Sequence, residues 1–276
     1  MNHQTYQWKQ HAGQEIFAQS WLPEQNPKAI YCIIHGQSDH SSRFTHMAEH
    51  MAKNGFAVYA ADLIGHGRSG GKRGHMLHFS EYLETVDALI DLAKADHPQL
   101  PVFVYGQSMG GNVVINHALR GSDKVKAYIA SSPWVRLAFE PPAWKVGLGK
   151  LMKSIYPALS QPTGLDTKYL SHDKQIVSAY EKDPLVHGKI TASAFFETLQ
   201  AGLHIPAQAD KLHHHMLIMH GSEDNLTSPT ASKEFADLRP DLITYKRFDG
   251  YYHELHNEDI KEQVYEQIIQ FIQKNM

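Results

Sequence analysis

The chain has 276 residues, 42% of them hydrophobic, which suits one large α/β domain or a domain carrying an insertion. Its formal net charge of −3 lacks the basic excess that a nucleic-acid partner calls for, and none is expected. One cysteine, Cys32, sits in the apolar run 29–34, so no intrachain disulfide can form and the thiol reads as a small buried hydrophobe.

The first residues, Met1 to Gln7, are polar and lack the basic-then-apolar order of a secretory signal. No run of about 18 apolar residues is available to cross a bilayer, so the expected location is cytoplasmic. Short strands come first, 16–21 the clearest, and then strands and helices alternate. Residues 29–34 form a buried strand. Residues 43–54 form an amphipathic helix with Phe44, Met47, Ala48 and Met51 on one side, stopped by Gly55. A strand at 56–61 is followed by a helix at 80–95, capped by Ser80, that turns Leu83, Val86, Leu89, Ile90 and Ala93 inward. Strands at 101–105 and 125–130 come next. The rhythm breaks at Pro133: residues 134–206 are rich in Pro, Trp, Tyr and Leu, show no clear strand, and read as a helical insertion. Alternation resumes with a strand at 216–219, a helix at 230–238, a strand at 243–248 and a final helix at 259–274. Such alternation predicts a mostly parallel sheet covered on both faces. Residues 1–133 and 207–276 would form that core.

Between the strand at 101–105 and the small-residue segment 111–118 lies Gly106-Gln107-Ser108-Met109-Gly110, which reads G-x-S-x-G. A strand that turns abruptly into a helix can lift a serine hydroxyl above the sheet edge, and flanking glycines let the backbones pass closely. Ser108 is therefore the candidate nucleophile. Nucleophilic ester or amide cleavage also needs a base, a carboxylate to orient it and donors for the oxyanion. Asp224 follows the strand at 216–219 and is the candidate carboxylate; Glu223 reads as a solvated loop charge or a capping acid. His253 follows the strand at 243–248 and a short glycine-bearing turn, a position suited to the base, although His256 could serve instead. His253-Glu254-Leu255-His256 falls one residue short of the H-E-x-x-H spacing, so no metal site is expected there. Two backbone amides are expected to form the oxyanion hole. One is that of Met109, after the nucleophile; the other is that of Gln37, in the loop after the strand at 29–34.

Two other motifs suggest less. Gly65-His66-Gly67-Arg68-Ser69-Gly70 matches G-x-G-x-x-G, but basic residues and another glycine follow where a dinucleotide site needs a helix, so it reads as a tight loop. His213-His214-His215 enters a strand, where consecutive side chains point to alternate faces, and reads as a solvated loop rather than a metal tract.

With these residues in place the chain resembles the α/β-hydrolase superfamily, and within it the monoacylglycerol lipase and lysophospholipase branch, often labelled serine aminopeptidase-like. His35-Gly36-Gln37-Ser38-Asp39-His40-Ser41-Ser42-Arg43-Phe44 is similar to that branch's H-G-x-x-E-H-S-x-R-Y loop. Asp62-Leu63-Ile64-Gly65-His66-Gly67-Arg68-Ser69 resembles its D-x-x-G-H-G-x-S loop, and 106–111 its G-H-S-M-G-G elbow. The resemblance implies an α/β-hydrolase fold with a helical lid at 134–206 and a Ser108, Asp224, His253 triad. It also implies an oxyanion hole of the Gln37 and Met109 amides, with Asp39, Arg43 and Tyr180 near the substrate's glycerol moiety. An ion pair bracing the loop is an equal reading of Asp39 and Arg43. Gln107 stands where the branch often has histidine, a departure that bears on head-group recognition.

The expected activity is hydrolysis of a lipid-like monoester, a monoacylglycerol or lysophospholipid, through an acyl-enzyme and without a cofactor. A small-ester carboxylesterase or a serine aminopeptidase would use the same triad. The aminopeptidase would need a buried acid for an α-ammonium group, with Glu140 a candidate. A non-catalytic binding module is the remaining alternative. Trp134 to Phe139 and Trp144 to Met152 mix apolar residues with cations, a composition suited to lining an acyl channel or resting transiently on a membrane surface.

Overall fold

The computed structural model describes residues 1–10, 13–140 and 143–276, and the side chains of all of these except 143–146 and 148. The strands are β1 (Asn2–Lys9), β2 (Glu15–Leu22), β3 (Ala29–Ile34), β4 (Phe56–Ala61), β5 (Val102–Gln107), β6 (Ala127–Ser131), β7 (Ser160–Pro162), β8 (Lys189–Thr191), β9 (His215–Gly221) and β10 (Ile243–Phe248). The helices are α1 (Thr45–Lys53), α2 (Ser80–Asp96), α3 (Met109–Arg120), α4 (Ala143–Ile155), α5 (Lys174–Lys182), α6 (Ala192–His204), α7 (Pro229–Leu238) and α8 (Lys261–Lys274). Among the described residues, eight strands form one sheet in the order β1-β2-β4-β3-β5-β6-β9-β10. The six from β4 to β10 run parallel, and β1 and β2 extend the edge in antiparallel sense.

The continuous apolar run of β3 is explained by burial on both faces. Ile30, Cys32 and Ile34 pack with α2, α3 and α7 through Val86, Val113 and Phe235. Tyr31 and Ile33 face the other way and pack with α1 and α8 through Met47, Met51, Val264 and Ile268. Period-two alternation thus divides one strand between two cores. From β3 the chain crosses to β4 on one side and then to β5 on the other. The loops after β3 and β5 therefore flank a crevice at the carboxyl edge of the sheet, the place where open parallel sheets bind ligands.

Several local expectations change. The segment 41–54 begins as a 3₁₀ turn over Ser41–Phe44 before α1 forms. Ser80 is the first residue of α2 rather than its cap, and no side chain caps the helix at Phe79. Instead the Glu81 carboxylate accepts from the amides of Leu77 and His78 at 2.9 Å each, and Glu197 accepts from the Phe79 amide at 2.9 Å. A carboxylate in the first turn, here taking both amides on Oε1, brings favourable charge to the helix start and displaces the serine hydroxyl. Residues 132–214 leave the sheet between β6 and β9. They hold α4, α5 and α6 but also a two-stranded antiparallel ribbon, β7–β8, where no strand was expected. Three residues of Ser-Gln-Pro carry no strand signature. No helix among the described residues is long and apolar enough to cross a membrane.

Candidate active site

Ser108 alone joins β5 to α3, with φ 57° and ψ −118°. A side chain at positive φ is strained and persists only where its surroundings over-determine it. Here the Ser108 amide donates to Ser131 O at 2.9 Å, and the Ser108 carbonyl accepts from the amides of Asn112 and Trp134 at 3.1 and 2.9 Å. The glycines are required by close approach. A Cβ at Gly106 would lie 2.1 Å from Gly110 O, and one at Gly110 would lie 2.2 Å from Ile34 O. Among the described residues the Ser108 hydroxyl has no hydrogen-bond partner, and the side chain opens into a cavity whose wall also carries His253.

The loops after β9 and β10 bring Asp224 and His253 together. His253 Nδ1 donates to Asp224 Oδ2 at 2.7 Å, with both side chains buried. Asp224 Oδ1 accepts from the amides of Leu226 and Thr227 at 2.8 and 3.0 Å. Burial alone would raise the Asp224 pKa, but the charges and hydrogen bonds of His253 and His220 hold it well below the usual carboxylate range. Burial alone would lower that of His253; the adjacent Asp224 charge and hydrogen bond outweigh it and lift His253 above the ordinary histidine value. The His253 loop is also tied to the inserted segment, because the amides of His253 and Glu254 donate to the carbonyls of Tyr169 and Leu170 at 3.3 and 2.8 Å.

Neither the Gln37 amide nor the Met109 amide donates in any hydrogen bond among the described residues. Met109 opens α3, so its N–H has no intrahelical acceptor, and the helix dipole adds positive potential there. Gln37 lies in the cavity wall beside Ser108. Its side-chain amide reaches Lys189 O at 3.3 Å.

Three of the four proposed head-group contacts, Gln107, Asp39 and Tyr180, line a narrow recess that shares Gln37, Ser108 and His253 with the cavity. Gln107 lines it with a buried Nε2 that has no partner among the described residues. The fourth, Arg43, stands behind Asp39 and Tyr180 as an ion-pair centre. Its guanidinium donates to Asp39 Oδ2 at 3.0 Å and to both oxygens of Glu254 at 3.0 and 2.8 Å, and it stacks 4.7 Å from the Tyr180 ring. Removing it would leave two buried carboxylates without their cation, a cost of about 3–5 kcal/mol.

The cavity has a volume of about 620 Å³ and is mostly apolar. The segment after β6 supplies most of the wall, including Trp134, Leu137, Met152, Leu159, Ile190 and Phe195.

Other sequence candidates lie apart from this chemistry. His256 is fully buried, stacked 4.6 Å from Phe44, and burial pushes its pKa down to about 3. Glu223 is exposed, as is Glu140. The loop at 65–70 is closed by the Gly65 amide donating to Gly70 O at 2.8 Å, and the Asp62 carboxylate accepts from the amides of Ser41 and Arg68 at 2.7 Å each. Of the histidine triplet, His213 is exposed, His214 is half-buried with Nε2 at 2.8 Å from Ser122 O, and His215 already belongs to β9. The side chains of Trp144, Lys145, Val146 and Leu148 lie outside the described residues. Sequence reasoning missed His220 and Thr227, which also contact Asp224 Oδ2.

The chain matches the family described as serine aminopeptidase, S33, over residues 25–260. A monoacylglycerol lipase of Mycolicibacterium smegmatis is 32% identical over 262 residues, covering 94% of this chain and 93% of that protein. A phospholipase of Bacillus subtilis is 30% identical over 243 residues, covering 87% of this chain and 93% of its own length. The crystal structure of a Paleococcus ferrophilus monoacylglycerol lipase superposes with a TM-score of 0.85 at 28% identity, covering 100% of both chains. The chain belongs to the serine aminopeptidase S33 family and has the α/β-hydrolase fold.

Proposed function

We propose that this protein is a serine ester hydrolase that cleaves lipid-like monoesters, with monoacylglycerols as the preferred class. The observation that carries the reading is the buried Asp224–His253 pair, set beside Ser108 in the wall of a large apolar cavity. His253, oriented by Asp224, takes the Ser108 proton as the hydroxyl attacks the ester carbonyl. The Gln37 and Met109 amides, both without acceptors among the described residues, receive the oxyanion. His253 then gives its proton to the departing alcohol, and water attacks the acyl-enzyme by the same route. The acyl chain occupies the 620 Å³ cavity, and the alcohol leaves through the recess at Gln107, Asp39 and Tyr180.

Residues 134–206 act as the lid. Phe139, Leu151, Ile155 and Tyr156 are each at least half exposed, and Lys150 stands among them, a composition that favours transient contact with a lipid surface. An aminopeptidase reading has less support. Glu140 is exposed, and the carboxylates of the recess, Asp39 and Glu254, are both engaged by Arg43.

A substrate panel on the purified protein tests this reading. For 1-monoacylglycerols from acetyl to palmitoyl, kcat/KM should rise about fourfold per added methylene, from about 0.8 kcal/mol of burial each, until the cavity is full. Rates independent of chain length, or faster cleavage of aminoacyl amides, would overturn it.

A further inference from the structure

Asp224 Oδ2 is crowded. It faces His253 Nδ1 at 2.7 Å, His220 Nε2 at 2.9 Å and Thr227 Oγ1 at 2.9 Å. The threonine hydroxyl has one hydrogen and a second acceptor, Ser132 O, at 3.0 Å, so it cannot satisfy both. His220 Nε2 also lies 3.3 Å from Thr227 Oγ1, a longer contact than its 2.9 Å to the carboxylate. His220 is fully buried near the end of β9, and its other ring nitrogen, Nδ1, meets Ser232 Oγ of α7 at 2.9 Å. A hydroxyl donating to Nδ1 leaves the hydrogen on Nε2, directed at the carboxylate.

We propose that His220 is a positioning residue: its Nε2–H holds Asp224 Oδ2 in place and shares that oxygen's charge with His253. The inference rests on the Ser108–Asp224–His253 reading above and extends it. A carboxylate oxygen that donates electron density to two imidazoles pulls less on the proton of either one. His220 thereby limits how strongly Asp224 raises the proton affinity of the base. Other charges also face His253: Glu254 and His256 from its own loop, and Asp39 from the loop after β3. Arg43 joins Asp39 to Glu254. None of these contacts Asp224, so a change at His220 is read through the carboxylate.

The test is the pH profile of kcat/KM for p-nitrophenyl butyrate, measured on wild type and on His220→Leu, His220→Gln, Ser232→Ala and Ser108→Ala. Leucine removes the donor, so the acid limb should move upward by about half a pH unit and kcat should fall about tenfold, with KM little changed. Glutamine, whose Nε2 reaches a similar point, should restore the wild-type limb. Ser232→Ala frees the tautomer from outside the site and should shift the limb the same way by a smaller amount; this variant decides the matter if His220→Leu does not fold. A wild-type limb in His220→Leu, no rescue by glutamine, or an unmoved limb in Ser232→Ala would overturn the role of His220. Activity surviving in Ser108→Ala would overturn the triad itself, a separate failure.

Discussion

At Ser108 backbone strain and proposed chemistry coincide. The side chain sits at φ 57°, where a glycine would be relaxed. Ser108→Gly should therefore raise the urea midpoint, with a gain of about 1 kcal/mol, while Ser108→Ala, which keeps the strain, should not. Equal midpoints for the two variants would mean that the turn stores no strain. The turn at Ser108, the proposed nucleophile, was legible in the sequence because it forces its glycines: Gly106 and Gly110 are where backbones come within reach of a missing Cβ. The meeting of Asp224 with His253 was legible because each follows a strand end. His220 and Thr227 were not. They act by converging on one oxygen of Asp224, and nothing in their spacing announces that convergence. The pairing of Arg43 with Asp39 was among the readings of the sequence, whereas its grip on Glu254, 211 positions away, had no local sign.

At the level of elements, the inner parallel strands β3 to β6 were readable because burial on both faces makes them nearly continuously apolar, while the edge strand β10 keeps only Ile243 and Phe248 buried. The ribbon β7–β8 was not readable, since its strands have three residues each and β7 is exposed throughout. The start of α2 misled for a different reason: its acceptors come from Glu81, inside the helix, and from Glu197, far away on α6. The inserted segment reaches the site directly. Its Tyr169 and Leu170 carbonyls hold the His253 loop, and Ala192, the first residue of α6, lines the cavity. Ala192→Trp should fill part of the acyl space. Its palmitoyl-to-acetyl ratio of kcat/KM should drop at least tenfold with little change for acetyl esters. An unchanged ratio would place the acyl chain elsewhere.

For the molecule as a whole, buried histidines set the response to acid. His35, His66 and His256 are fully buried, and burial holds the pKa of each below its ordinary value. The unfolded chain binds protons that the folded chain refuses, so stability should fall as pH drops below about 6.5. The loss is about 1.4 kcal/mol per pH unit for each such group until its folded-state value is reached. His253 acts in the opposite sense: its raised value gives stability that is complete at low pH and lost as pH rises through it. Three groups outweigh one, so the urea midpoint should decline between pH 7 and pH 5. A flat or rising midpoint would contradict this balance.

The account as a whole depends on Ser108 being the group that His253 activates, and covalent labelling tests that most directly. The folded protein should react with a fluorophosphonate at one site, the peptide carrying Ser108. Labelling should track loss of esterase activity one to one, and it should slow as pH falls through the raised pKa of His253. A label on another residue, or full inactivation with the Ser108 peptide unmodified, would contradict it.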